Sequence, residues 1–162
     1  MIRRVPRLYY LPLAAALAAG LFGCASGGKA DRESTTPSGW PVDSTVASVS
    51  SEFGARRSGP WHQGIDLSAP KGSPVRATAA GKVVVAERSG AYGRTVVIDH
   101  GHGTRTRYAH LKSIAVEQGK RVAAGEVIGK VGKSGNASGF HLHYEVVVDG
   151  TPVDPRPFMV GG

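Results

Sequence analysis

The stretch TVVIDHGHGTRTRYAH, residues 95–110, indicates the fold more clearly than any other part of the chain. β-Branched and aromatic residues fill both of its ends, and His-Gly-His-Gly at 100–103 separates them. β-Branched side chains fit a pleated sheet, and glycine supplies the positive φ angles of tight turns. The pattern predicts a β-hairpin that turns within residues 100–103.

Short β-branched runs separated by glycine continue on both sides of this hairpin. The chain has 23 glycines and 10 prolines among 162 residues, which favours many turns and short strands. No apolar pattern of period 3.6 and useful length follows the first 23 residues, so we expect an all-β domain, an antiparallel sheet or sandwich, over residues 46–162. The predicted strands, with the two arms of the hairpin included, are 82–87, 94–100, 104–111, 126–131 and 141–149. A further strand opens in 70–75, and Pro152 and Pro155 stop the last one.

The first 23 residues have the pattern of a secretory signal. Three arginines precede an uncharged apolar run from Leu8 to Phe22. A cationic start with a short apolar run is typical of an export signal and is too short to span a bilayer comfortably. The polar, apolar-poor stretch that follows predicts a flexible tether over residues 24–45.

The end of the apolar run, LFGC, resembles the lipobox of bacterial lipoproteins. The resemblance implies that Cys24, the only cysteine of the chain, is acylated and becomes the first mature residue. Ala25 stands where the lipoprotein pattern places Asp for retention in the inner membrane. We therefore expect a membrane anchor at Cys24 and a location at the periplasmic face of an outer membrane.

The formal net charge is +8, and it falls to +5 without the signal because 17 basic residues then stand against 12 acidic ones. A basic surface attracts anionic polymers in general. The cations are scattered and accompany no nucleic-acid motif, so we expect no nucleic-acid partner. Separately, we expect the protein to be a monomer.

Six histidines supply candidate metal ligands, and two groups of residues have suitable spacing. His62 and Asp66 stand four residues apart in a glycine-containing bend. Because strand side chains alternate between faces, His141 and His143 project together, with Glu145 beside them. A catalytic zinc ion usually takes three protein ligands, so His62, Asp66 and one of the paired histidines meet that count.

The order and context of these motifs resemble peptidase family M23, the LytM and lysostaphin-like metallopeptidases, over residues 50–158. The resemblance rests on Phe53-Gly-Ala-Arg56, His62-x-x-x-Asp66, Tyr108-Ala-His110-Leu and His141-Leu-His143, and on GIDLSAP at 64–70, GKV at 81–83, VIDHG at 97–101 and SGNASG at 134–139. It implies a LytM-type β-fold with long loops around a zinc cleft and a zinc endopeptidase that cuts peptidoglycan. It also implies that zinc is bound by His62, Asp66 and His143, and that His110 and His141 transfer protons.

Several other residues have a structural and a functional interpretation. Glu145 is either a partner of a ligating histidine or a solvated strand carboxylate, and Tyr108 either lines the groove or packs in the core. His100 and His102 lie in the predicted turn, which favours a surface position. The two tryptophans, Trp40 and Trp61, fit a core or loop anchor better than a sugar-stacking platform.

Two other functions compete with the enzyme. One is a LytM-type activator of a cell-wall amidase, and the intact zinc and proton-transfer positions argue against it. The other is a biotinyl- or sugar-carrier module, which PVRATAAGKV at 74–83 and QGKRVAAGEVIG at 118–129 resemble. The carrier module does not require the exported His and Asp cluster.

Replacing Cys24 by Ser is expected to leave the protein soluble or unprocessed, because the lipid acceptor is lost. Detergent-phase partitioning with mass spectrometry of the amino terminus measures this. A mature protein that begins anywhere other than Cys24 would contradict the anchor.

Overall fold

The computed structural model describes residues 34–54 and 60–160, and its regular secondary structure is almost entirely antiparallel β-strand. Within these residues, no helix has the length and apolar character needed to cross a bilayer. The strands are β1 (Ser48–Ser51), β2 (Ile65–Ser68), β3 (Pro74–Arg76), β4 (Gly81–Ser89), β5 (Gly93–Gly101), β6 (Thr104–Leu111), β7 (Ser113–Ile114), β8 (Arg121–Val122), β9 (Val127–Lys130), β10 (His141–Val148) and β11 (Thr151–Val153), with short 3-10 helices at Gly90–Tyr92 and Arg156–Phe158.

The strands form two antiparallel sheets. The larger sheet has the order β1-β2-β10-β6-β5-β4-β8, with β11 also paired to β10, and the smaller has the order β3-β9-β7. The all-β prediction is confirmed, and β5 and β6 form the predicted hairpin, with Gly101 paired to Thr104. Pro152 does not stop the last strand but lies within β11, which pairs only with β10; an edge strand tolerates a residue without an N–H.

The core collects apolar side chains from both sheets. Leu142, Tyr144 and Val146 alternate along β10 and are fully buried, so one face of this strand belongs to the core as its pattern predicts. Tyr108 on β6 is also fully buried, and its ring centroid lies 5.4 Å from that of Tyr144. Tyr108 therefore packs in the core and does not line the groove.

The packed domain begins upstream of the predicted boundary at residue 46. Ser34 and Pro41 accept backbone hydrogen bonds of 2.8–3.0 Å from the segment 76–80, and Val42 is 1% exposed in the core. The predicted tether over residues 24–45 thus includes a stretch that is hydrogen-bonded to the sheet. The rest of that tether and the predicted signal lie outside the described residues.

His100 is buried, so the predicted surface position is wrong. Its Nδ1–H donates to the carbonyl of Ala80 at 2.7 Å, and its Nε2 lies 2.8 Å from the Thr106 hydroxyl. Burial lowers the pKa of His100, although its hydrogen bond to Ala80 acts in the opposite direction. The turn itself consists of His102 and Gly103, and His102 is exposed there with a φ of 49°.

Replacing His100 by Ala is expected to lower the free energy of unfolding by about 1–3 kcal/mol, because the buried groups of Ala80 and Thr106 lose their partner. His102→Asn is the matched control; Asn tolerates positive φ, and the surface site predicts a change within about 0.5 kcal/mol. Urea denaturation at pH 7.5 measures both. Equal effects of the two substitutions would contradict a structural role for His100.

The difference between wild type and His100→Ala is also expected to depend on pH. Because the pKa of His100 is lowered in the folded state, the unfolded chain takes up its proton at a higher pH. The stabilisation is therefore complete above about pH 6.5, the ordinary value for histidine, and is lost as the pH falls below it. Repeating the urea titrations at pH 5 tests this.

Candidate metal centre

Strand pairing brings two of the predicted ligands together. In the antiparallel ladder between β2 and β10, Asp66 lies directly opposite His143. Side chains at directly opposed positions share a sheet face and lie close together. The sheet face that points away from the core therefore carries the carboxylate of Asp66 on β2 beside the imidazole of His143 on β10.

The loop before β2 adds His62. A backbone bridge with Gly54, hydrogen-bonded in both directions at 2.9 Å, fixes its main chain. Gly64 lets this loop lie directly on β10, because a Cβ at that position would overlap the Tyr144 carbonyl oxygen. The close approach carries the His62 ring to Asp66.

Three ligand atoms converge at this point. Asp66 Oδ1 lies 3.1 Å from His62 Nε2 and 2.9 Å from His143 Nδ1, and the two nitrogens are 3.1 Å apart. His62 and His143 are buried, and Asp66 is 15% exposed. The predicted ligands therefore form a cluster of three side chains with one donor atom each, within 4.8 Å of one another.

The outer nitrogens of both rings indicate which tautomer each histidine adopts. His62 Nδ1–H donates to the Glu52 carbonyl at 2.7 Å, and His143 Nε2–H donates to Glu145 Oε1 at 3.0 Å. Neutral imidazole has one N–H, so each remaining nitrogen directs a lone pair into the cluster. Two lone pairs and a carboxylate oxygen facing one another form a cation site, and this donor set suits zinc.

The charge balance favours a cation at the same place. Burial alone would raise the pKa of Asp66, but hydrogen bonds from His143 and His62, which form in place of metal contacts when the ring nitrogens facing Asp66 carry hydrogen, outweigh burial and hold its pKa well below the usual range. For His143, burial would lower the pKa, and the hydrogen bonds to Asp66 and Glu145 reverse the direction. Asp66 is therefore an anion beside two imidazoles, as a metal ligand must be.

Glu145 lies behind His143 and is not a solvated strand carboxylate. It is fully buried and accepts hydrogen bonds from the Arg107 guanidinium at 2.7 Å and the Tyr92 hydroxyl at 2.8 Å, in addition to that from His143. Burial alone would raise the pKa of Glu145, but the His143 hydrogen bond and the Arg107 charge outweigh it and lower the pKa. Sequence left the role of Glu145 open because its partners come from other strands.

His110 reaches the site because β6 is irregular. Val96 of β5 pairs with Tyr108. Arg94, two positions earlier on β5, pairs with Leu111, three positions later on β6. β6 thus carries one extra residue, a β-bulge, and His110 within it has a φ of +59°. Regular alternation would turn His110 towards the core with Tyr108, and the bulge directs it to the groove face.

The neighbouring loop holds His110 in this conformation. His110 Nδ1–H donates to the Ser134 carbonyl at 2.8 Å, and the Ser134 N–H donates back to the His110 carbonyl at 3.3 Å. A Cβ at Gly135 would overlap the Ala91 oxygen and the Gly93 nitrogen, so the loop approaches β5 backbone to backbone. This contact fixes the position of the carbonyl group that orients His110.

His141 completes the cluster beside His110. Their ring centroids are 4.8 Å apart, and His141 Nε2 lies 3.8 Å from Asp66 Oδ1. His141 Nδ1–H donates to the Gly139 carbonyl at 3.1 Å, which leaves Nε2 facing the site. Burial lowers the pKa of His110, so its neutral form is favoured near neutral pH.

These side chains line an open groove of about 330 Å³. Trp61 forms part of its wall and is 62% exposed, with its ring edge-on to Phe53 at 5.7 Å, while Trp40 packs against the core. A larger depression of about 480 Å³ lies elsewhere, beside Lys82. Among the described residues that line it, His100 is the one histidine, and both ring nitrogens of His100 already have protein partners.

A His, Asp and His donor set beside two further histidines in an open groove defines a candidate metal-dependent hydrolase. The sequence profile of Peptidase family M23 matches residues 60–155, more than half of the chain, and the chain belongs to that family.

Relatives and a solved structure agree with this assignment. The chain is 47% identical to the DD-carboxypeptidase/endopeptidase Mpg of Neisseria meningitidis over 112 residues, 66% of this chain and 26% of Mpg. It is 41% identical to the peptidoglycan DD-endopeptidase ShyA of Vibrio cholerae over 121 residues, 71% of this chain and 28% of ShyA. The chain thus spans about a quarter of the length of these curated relatives. A zinc containing peptidase from Vibrio cholerae superposes with a TM-score of 0.69 at 37% identity, over 74% of this chain and 39% of that one.

Replacing Glu145 by Ala is expected to weaken metal binding by about 10- to 100-fold, because His143 loses the partner that sets its tautomer and Arg107 is left with an uncompensated charge. Glu145→Gln keeps an acceptor and is expected to weaken binding less. Competition with a chromogenic zinc chelator measures the affinities. Exposed Glu117→Ala is the control, and equal affinities for all four proteins would contradict this role.

Proposed function

We propose that this domain is a zinc endopeptidase that hydrolyses peptide bonds in the stem peptides or cross-links of peptidoglycan. The observation that carries the proposal is the convergence of one ligand atom each from His62, Asp66 and His143, with every pair of these atoms within 3.1 Å. A second pair of histidines stands directly beside this point, in a groove open to a chain-like substrate.

His62, Asp66 and His143 would hold the zinc ion, which leaves a coordination position for reacting groups. When bound, zinc supplies Lewis acidity towards a peptide carbonyl and a water molecule. The single carboxylate leaves the centre with a net positive charge, which favours both effects. Glu145 and the Glu52 carbonyl hold the two rings so that their lone pairs stay directed at the ion.

His141 and His110 would transfer protons within the groove. Both rings donate from Nδ1 to a loop carbonyl, so in the neutral form both present the lone pair of Nε2. His141 lies beside Asp66 and is placed to accept a proton from the attacking water. His110, on the other side of the pair, would take up at Nε2 a proton that the attacking water releases and then pass that proton to the leaving nitrogen.

The substrate class is proposed from the relatives and from the groove. ShyA is named a peptidoglycan DD-endopeptidase and Mpg a DD-carboxypeptidase/endopeptidase. Exposed Trp61 offers an apolar surface beside His62 on which part of a bound chain can pack. The predicted lipid at Cys24 would place this groove near the periplasmic face of an outer membrane, where peptidoglycan is within reach.

Two substitutions separate metal binding from proton transfer. His143→Ala is expected to lose both zinc and cleavage, because a ligand is removed. His110→Ala is expected to keep zinc and fold but lose about 10²–10⁴-fold in the rate of cleavage, since only a proton-transfer group is removed. Metal analysis and mass spectrometry of fragments released from purified sacculi measure these effects.

His102→Ala, an exposed histidine on the β5–β6 turn, is the matched control and should match the wild type in both assays. Equal zinc content in His143→Ala and wild type would overturn the ligand assignment. If wild type releases no fragment and His110→Ala still restores wall integrity in a deletion strain, the protein acts as an activator and the enzyme proposal fails.

A further inference from the structure

A second groove lies next to the candidate metal centre, on the other side of the loop that precedes β10. Its volume is about 390 Å³. We call it the cationic groove, because among the described residues five basic side chains and no acidic one line it; the five are Lys71, Arg88, Arg94, Lys112 and Lys133.

Within the described residues the five cations of this groove have no acidic partner, in contrast to four cations elsewhere on the surface. Arg105, Arg107, Lys120 and Arg156 each form an ion pair with a carboxylate at 3.0 Å or less. Within residues 34–54 and 60–160, none of the five groove cations has a carboxylate oxygen within 4.0 Å. Like charges gathered without counter-charges repel one another, and an anionic ligand relieves that repulsion.

One wall of the cationic groove is apolar. Phe140 is 44% exposed, and the Lys71 ammonium lies 5.5 Å from the centre of its ring. A ligand in this groove therefore meets an aromatic surface as well as positive charge. That combination suits an occupant with carboxylates and aliphatic groups, such as a peptide, better than a polymer of phosphates.

The cationic groove lies next to the proposed catalytic pair. Lys112 follows His110 by two residues, and Phe140 immediately precedes His141. Ser134 links the two grooves, since its carbonyl accepts from His110 and its hydroxyl oxygen accepts the backbone N–H of Arg94 at 2.8 Å. The loop that carries Ser134 therefore stands between the two grooves, and a chain lying across the metal centre would reach the cationic groove by crossing this loop.

We propose that the cationic groove binds the free carboxylates of a peptidoglycan stem peptide, on the part of the substrate that extends beyond the bond to be cut. This inference takes its substrate, peptidoglycan, from the function proposed above. Cross-linked stem peptides carry both free carboxylates and aliphatic side chains, which matches the charge and the apolar wall. The cations of the groove would position a cross-link by binding its free carboxylates.

The test compares two charge-matched double variants of the full chain, both in a His110→Ala background so that binding is measured without turnover. Lys112→Gln with Lys133→Gln removes two charges from the groove. Lys82→Gln with Arg121→Gln removes two exposed charges from the other depression, beside Asp99. Cosedimentation with native sacculi, and with sacculi whose carboxylates are amidated, gives the dissociation constants.

The groove variant is expected to bind native sacculi about 2- to 30-fold more weakly than its parent, as two exposed ion pairs predict. It should bind amidated sacculi as its parent does, and the control variant should match the parent on both. Equal loss in the two variants would mean general charge attraction and would overturn the proposal. The same cosedimentation is run with vesicles that contain phosphatidylglycerol. If the groove variant binds these vesicles more weakly but binds native sacculi as its parent does, the proposal is overturned in favour of a membrane surface.

Cleavage is measured separately, with the same charge pairs in the wild-type His110 background. A groove variant with raised KM and unchanged kcat on native sacculi supports the proposal, because these lysines touch substrate away from the reacting bond. If wild type cuts nothing while the groove variant still loses binding to native sacculi, the proposed enzyme fails and the binding groove stands. Unchanged binding in the groove variant overturns the groove whatever the cleavage result.

Discussion

Two imidazole nitrogens and a carboxylate oxygen are held within 3.1 Å of one another, and the surrounding residues must keep these three atoms together. Facing lone pairs repel unless a cation lies between them, and partial burial strengthens that repulsion. The strand register that opposes Asp66 to His143 fixes two of these atoms. The loop bridged to Gly54 and closed onto β10 through Gly64 fixes the third.

Charge compensation extends outward from the cluster in layers. Asp66 faces the cluster, Glu145 holds the far nitrogen of His143, and Arg107 balances Glu145. A buried carboxylate without partners would cost several kcal/mol, so Glu145 can remain ionised behind the ring only because Arg107 and Tyr92 bind it. On the His62 side the partner is the Glu52 backbone carbonyl, which orients the ring without adding charge. The two histidines are therefore held by chemically different partners.

Alternation along β10 could be predicted from sequence, because side-chain direction in a strand follows from residue number alone. It correctly separated the core face, with Tyr144, from the face that carries His141 and His143. The hairpin of β5 and β6 was also predictable from local sequence, because glycine marks the turn between the two strands. The burial of His100 was not, because Ala80 and Thr106, which bind it, come from other parts of the sheet.

His110 shows why local pattern cannot predict the whole site. A left-handed φ at a residue other than glycine costs about 1–3 kcal/mol, and a regular strand would avoid it. Two hydrogen bonds to the Ser134 backbone offset part of that cost. The extra residue also restores Leu111 to the core, so β6 keeps its packing on both sides of the bulge. The β-bulge is thus confined to His110, the residue that must leave the core face. The sequence of β6 alone predicts neither the position of the bulge nor the Ser134 loop that holds His110 in place.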